Sequence, residues 1–226
     1  MNYELRNNIA IVAIDDGKAN AVGHAFLDSV NALLDRAERE QAGAVVLRGR
    51  EGIFSGGFDL KEFTNSDDSG ASMVNKGMQL LLRLYSFPLP LVVACTGHGI
   101  AMGAFIILAC DTRIGVRGSF KITLPETALG MDVPGTMLEL TSARILPPFI
   151  TRAAVQAEVF DPDQALAAGF LDEVVDESEI GARAFAVAEK LSLLPQKAYT
   201  ANKLATRKKT LAVMEEEFNR MVAQHS

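Results

Sequence analysis

Two stretches decide the fold: Ala44-Val-Val-Leu-Arg-Gly-Arg-Glu-Gly-Ile-Phe-Ser-Gly-Gly-Phe-Asp-Leu60 and Pro90-Leu-Val-Val-Ala-Cys-Thr-Gly-His-Gly-Ile-Ala-Met-Gly-Ala104. Each opens on a short apolar run, Ala44–Leu47 and Leu91–Cys95, that reads as a buried strand. Each then enters a glycine loop, Phe54-Ser-Gly-Gly-Phe-Asp-Leu60 or Gly97-His-Gly-Ile-Ala-Met-Gly-Ala104. Glycine allows positive φ and lets backbone N–H groups point at one spot instead of being consumed in a ladder. Two such amides from different loops can hold one oxyanion. The spacing Gly97–Gly103 is wrong for a dinucleotide fingerprint, and no P-loop Lys-Ser/Thr follows either loop.

Outward from these loops the pattern repeats in style. Asn8–Ile14 predicts a strand, Gly23–Arg39 an amphipathic helix, and Arg48–Gly57 a turn and loop. Lys61–Gly70, with Ser66-Asp-Asp-Ser-Gly70, predicts a mobile surface segment, and Met73–Phe87 a second amphipathic helix ended by Pro88 and Pro90. Gly97–Gly99 reads as a turn and Ala101–Cys110, apolar on all sides, as a buried helix. A strand at Thr112–Val116 is followed by helices at Met137–Ile145, Thr151–Ala157, Pro162–Ala168, Gly181–Leu194 and Pro195–Val222. Strand, glycine loop and helix recurring three times is an α/β pattern.

Composition narrows the class. The chain has 226 residues, 49% hydrophobic and 22% charged, enough for one domain with a sizeable core. Its net charge of −6 supplies no basic field for nucleic acid or an anionic membrane. The basic run Lys203, Arg207, Lys208 and Lys209 reads as a solvated helix face. Cys95 and Cys110 sit in apolar stretches, as reduced buried thiols would. His24, His98 and His225 are scattered, which gives a metal site little support. No leader is expected from the N-terminus, and the apolar runs are too short to span a bilayer, so a soluble, cytoplasmic protein is expected.

With these residues in view, the chain resembles the crotonase (enoyl-CoA hydratase/isomerase) superfamily. The segments that carry the resemblance occur in the family's order: Lys18-Ala-Asn-Ala21, Ala44–Gly49, Ile53–Glu62, Pro90–Gly103, Leu108-Ala-Cys-Asp-Thr-Arg-Ile114 and Asp163–Val175. The resemblance implies an α/β fold, a spiral of repeated ββα units over residues 1–190 holding an acyl-CoA site. It also implies a C-terminal helical segment, 191–226, that packs subunits into a homotrimer or hexamer. The implied substrate is an acyl thioester on coenzyme A, with no separate cofactor.

The resemblance also implies site residues. The oxyanion amides fall on Phe58, after Gly57, and on Ala104, after Gly103, where a helix N-terminus would add its partial positive charge. Lys61, beside the first loop, is a candidate phosphate contact and equally a plain surface lysine. Counting from Gly103 puts the hydratases' first glutamate position on Ile107, which cannot move a proton. Their second falls on Glu126, in Leu124-Pro-Glu-Thr-Ala-Leu-Gly130, which is more like the segment of Δ3,Δ2-enoyl-CoA isomerases. The dienoyl isomerases' second acid falls nearer Thr136 than Asp132, so Asp132 reads as a loop cap with a spare proton-carrying role, and His98 as a loop brace. Double-bond migration needs only one base and two amides. Hydration or another lyase reaction, thioester hydrolysis, and acyl-CoA binding without catalysis remain alternatives on the same fold.

Overall fold

The computed structural model describes residues 1–65 and 67–224. Its strands are β1 (Asn2–Arg6), β2 (Ile9–Ala13), β3 (Ala44–Arg48), β4 (Gly52–Ser55), β5 (Leu91–Cys95), β6 (Gly97–Ile100), β7 (Thr112–Val116), β8 (Ile122–Thr123) and β9 (Glu173–Val175). Its helices are α1 (His24–Arg39), α2 (Leu60–Asn65), α3 (Asp67–Ser86), α4 (Met102–Ala109), α5 (Gly135–Arg144), α6 (Pro147–Ile150), α7 (Pro162–Ala168), α8 (Ile180–Ser192) and α9 (Gln196–Gln224).

The strands fall into two sheets, in the orders β1-β2-β3-β5-β7-β9 and β4-β6-β8. Successive pairs β3/β4, β5/β6 and β7/β8 each place one strand in each sheet, and α3 and α4 follow the first two pairs. This is the expected ββα spiral. Side-chain alternation splits the larger sheet between two cores. Val45, Leu47, Leu91 and Val93 pack with α1, α3 and α4, while Ala44, Val46, Val92 and Ala94 pack under Ile180, Ala184 and Ala188 of α8.

Three expectations are corrected. The region 48–57 is not all turn and loop, and Gly97–Gly99 is not a turn: Gly52–Ser55 and Gly97–Ile100 form parallel strands β4 and β6. These strands run so close that a Cβ on Gly97 would strike Gly52 and come 2.5 Å from Ile53 N. The segment after Lys61 is helical, in α2 and α3; Ser66 lies outside the described residues. A strand before Asn8, β1, pairs antiparallel with β2 through a turn at Asn7-Asn8, both in left-handed backbone at φ 48° and 66°. Asparagine tolerates that region, which suits a two-residue hairpin.

The fourth correction concerns α9. Lys203 and Arg207 are not part of a solvated face. Asp111 Oδ2 accepts from Lys203 Nζ at 2.7 Å, Tyr199 Oη at 2.9 Å and Leu91 N at 2.9 Å. Arg207 Nη1 stands 2.9 Å from Oδ1 as a charge contact. Tyr199, Lys203 and Arg207 repeat at four-residue spacing, so one face of α9 converges on one carboxylate. The Lys203 and Asp111 side chains are only 5% and 6% exposed. Burial pulls the Lys203 amine below its usual value, and Asp111 opposes that shift. Further along, Met214 is fully buried, and Leu211, Phe218 and Met221 lean on the same core, whereas Leu204 is exposed. The helix therefore packs on its own body.

Asp111→Asn removes the only anion among these contacts and leaves two buried cations facing an amide. A buried pair broken on one side costs roughly 3–5 kcal/mol. Thermal unfolding is expected to shift down sharply, with faster amide exchange along α9; an unchanged midpoint would contradict the clamp.

Candidate active site

β4, β6 and β8 are adjacent and parallel, with Ser55 opposite Gly99 and Ile100 opposite Thr123. Their carboxyl ends lead directly to Phe58, Met102 and Glu126. Chain segments leaving the carboxyl ends of neighbouring parallel strands form the crevice where α/β sheets bind ligands.

The first loop is held from the side by the turn at residues 18–21. Asn20 is fully buried. Its Nδ2 donates to Ile14 O and Phe54 O, both at 3.0 Å. Ser55 Oγ donates to Asn20 O at 2.8 Å, and Gly56 N to Ala19 O at 2.8 Å. Gly57 sits at φ 94°, and a Cβ there would lie 2.8 Å from Ala101 Cβ and 3.5 Å from Met102 N. Glycine is required both by the backbone and by the meeting of the two loops. Val22 N donates to Gly57 O, and Asp59 N donates to Val22 O, at 2.8 and 3.1 Å. These bonds use the peptide groups on either side of Phe58 and turn its own N–H away from Val22. Among the described residues that N–H has no acceptor.

The second loop is braced by Gly99 N donating to Lys121 O and Ala101 N to Thr123 O, each at 3.0 Å. His98 is part of the bracing, accepting from Lys121 N through Nδ1 at 2.9 Å and meeting Phe120 edge-on. Ala101 is strained, at φ 50° and ψ −124° immediately before α4. Gly103 packs on β4, where a Cβ would come 2.6 Å from Ser55 O.

Ala104 does not keep the role carried over to it. Its N–H donates to Ala101 O at 2.8 Å, and Phe105 N shares that carbonyl at 3.2 Å. The orphan amides at this helix start are those of Met102 and Gly103, which have no acceptor among the described residues. Met102, the first helical residue, is the one placed beside Gly57.

Glu126 follows β8 and opens a 3₁₀ turn at Thr127–Leu129. It is 8% exposed, and its Oε2 is buried without a hydrogen-bond partner among the described residues. Burial raises its carboxyl above the usual glutamate value. Helix α4, Met-Gly-Ala-Phe-Ile-Ile-Leu-Ala, is buried throughout and carries no ionisable side chain. It therefore supplies no carboxylate at Ile107 or at any other position. Asp132 is exposed, past a left-handed Gly130, and Thr136 is buried with its hydroxyl donating to Met214 O at 3.1 Å. Lys61 is exposed at the start of α2, its amide held by Asp59 Oδ1 at 2.9 Å.

The sequence reading missed a latch beside the first loop. Glu62 Oε2 accepts from His24 N at 2.9 Å and meets His24 Nδ1 at 2.7 Å, while His24 Nε2 lies 3.3 Å from Ser72 Oγ. These bonds tie α1, α2 and α3 together. The hydrogen bond from the His24 amide, then the one from its ring, holds the Glu62 carboxyl below the usual range.

Residues 4–225 match the profile described as Enoyl-CoA hydratase/isomerase. The chain belongs to the enoyl-CoA hydratase/isomerase family. It is thus a crotonase-type acyl-CoA enzyme. Among its relatives is the mitochondrial enoyl-CoA delta isomerase 1 of Rattus norvegicus, 31% identical over 206 residues, covering 89% of this chain and 71% of that one. An enoyl-CoA hydratase/isomerase family protein from Pseudomonas syringae superposes with a TM-score of 0.94 at 39% identity, covering 96% and 94% of the two chains. An enoyl-CoA hydratase from Mycobacterium marinum does so with 0.94 at 35% identity, covering 100% and 99%. Both family activities therefore appear among the names of similar proteins. Among the described residues, no helix is long and apolar enough to cross a membrane.

Proposed function

We propose that this family member is a Δ3,Δ2-enoyl-CoA isomerase. The observation that carries this reading is the buried carboxylate of Glu126 after β8, while helix α4, which follows the neighbouring strand β6, has no ionisable side chain. Ionised Glu126 takes the proton from C2 of a 3-enoyl thioester. The electron pair left at C2 delocalises onto the thioester oxygen, which the amides of Phe58 and Met102 hold, and through the C3=C4 double bond onto C4. The protonated Glu126 then returns its proton to C4, leaving the conjugated 2-enoyl thioester. Each oxyanion donor contributes about 3–4 kcal/mol, and the acid–base group about 10²–10⁴ in rate. Hydration would require one carboxylate both to activate water and to protonate C2. In this reading coenzyme A is part of the substrate, and Lys61 is a candidate contact for its phosphates.

The raised Glu126 value fixes the sign of the pH dependence. The base must be ionised, and burial favours the neutral acid, so activity falls as pH drops through the raised value. A kcat/KM profile is expected to show an acid limb above the ordinary glutamate range and a plateau beyond it. Stability moves the other way. Between the ordinary and raised values the folded state still holds a proton the unfolded chain has released, so stability declines as pH rises through that window. A limb at an ordinary glutamate value would contradict the buried-base reading.

The assembly reading is a homotrimer, alone or paired into a hexamer. With α9 turned onto its own body, the support comes from elsewhere: Leu129, Leu146, Val155 and Val159 are each at least half exposed. Large apolar side chains gathered in one stretch of chain favour burial against another subunit. Sedimentation equilibrium at micromolar concentration is expected to give three or six times the chain mass, and a monomer would contradict it.

A further inference from the structure

Gly77 lies in the interior of the 20-residue helix α3, where glycine costs about 1 kcal/mol relative to alanine. What it meets explains its presence. A Cβ at this position would stand 2.7 Å from Phe58 Cζ, 2.9 Å from Phe58 Cε1 and 3.4 Å from Met102 Cε. Both side chains belong to the residues whose amides form the oxyanion pocket, and both come to the same bare spot on α3. Phe58 and Met102 follow different strands, so α3 is where their side chains share a common stop.

We propose that Gly77 is a positioning residue: by leaving room for the Phe58 ring and the Met102 methyl, it fixes the two amides relative to each other. The inference rests on the isomerase reading for its effect on rate and on packing alone for its effect on the amides. Alanine at 77 favours the helix by propensity but drives the Phe58 ring off its seat. The displaced ring stays joined to a backbone that Val22 holds through Gly57 O and Asp59 N, so the strain falls on the Phe58 peptide group between them. A misplacement approaching 1 Å can cost up to about 10² in rate.

The test is a cycle of Gly77→Ala, Phe58→Leu and the double variant. One measurement is kinetic, on 3-enoyl-CoA; the other is a relaxation-optimised ¹⁵N spectrum of protein labelled at Phe and Met. Gly77→Ala is expected to lower kcat about 10- to 100-fold with little change in KM, and to shift the Phe58 and Met102 amide resonances. In the Phe58→Leu background, which lacks the ring atoms nearest Gly77, the same substitution is expected to cost under about threefold in kcat. Unmoved amides in Gly77→Ala, or a kcat loss as large with leucine at 58 as with phenylalanine, would overturn the proposal. If Gly77→Ala fails to fold, a folded double variant supports it and an unfolded one overturns it. Failure of the isomerase reading looks different: wild type would be inactive on 3-enoyl-CoA while the amide shifts still report the packing link.

Discussion

Glu126→Gln is expected to lower isomerisation of 3-enoyl-CoA by at least about 10²-fold while leaving acyl-CoA binding within a few-fold of wild type. The amide has nearly the shape of the carboxyl and cannot take a proton from carbon. Because burial penalises ionised Glu126, its neutral replacement is expected to be at least as stable at neutral pH. That combination separates a catalytic role from a structural one. A merely structural Glu126 at the start of a 3₁₀ turn would give the reverse, an active but less stable variant. The pH profile adds a second readout, since residual activity of the glutamine variant is expected to lose the acid limb.

The second large effect is expected at the amides. Replacing the peptide N–H of Met102 by an ester oxygen, with the methionine side chain kept, deletes one donor and adds no ring. Loss of one such donor typically costs 10²–10³ in kcat. The same replacement at Phe58 is expected to cost as much, while Phe58→Leu and Met102→Leu, which keep their amides, are expected to cost under about tenfold. An ester at Ala104 removes a bond to Ala101 O that the first turn of α4 uses for itself. It is expected to act on stability and far less on kcat. If the Ala104 ester is the damaging one, the assignment of the second donor to Met102 is wrong.

The parts of the fold that were legible in the sequence are those whose side chains state their surroundings. Ala44–Leu47 and Leu91–Cys95 are continuous apolar runs because both faces of the larger sheet are covered, and they appear as β3 and β5. The apolar Ala101–Cys110 is buried on all sides as α4. The smaller sheet was hidden because its strands meet through glycines. Gly52, Gly97 and Gly99 read as turn residues until Gly97 is seen pressed against Gly52. The start of α3 reads as polar sequence, and polarity alone does not distinguish a helix start from a loop.

The site divides in the same way. Glu126 was singled out by the family resemblance of Leu124–Gly130, and its burial, which no sequence pattern showed, supports the proposed role of proton carrier. Motif counting alone placed the second amide at Ala104. That assignment failed because the strained Ala101 starts the helix one residue before Met102, so Ala104 is already inside the first turn. Lys203 and Arg207 looked solvated for a related reason. Their partner Asp111 stands about ninety residues earlier and is buried beneath them.

The most direct measurement compares two substrates with the unmodified protein, following the conjugated enoyl thioester by its absorbance. With a 3-enoyl-CoA the signal is expected to grow at a rate proportional to enzyme. With crotonyl-CoA the same enzyme is expected to leave the signal nearly unchanged, because the site holds one buried carboxylate, Glu126, and α4 offers no second group to share the addition of water. Efficient loss of the crotonyl-CoA absorbance, with little or no conversion of the 3-enoyl thioester, would contradict the isomerase account and make the protein a hydratase working through Glu126.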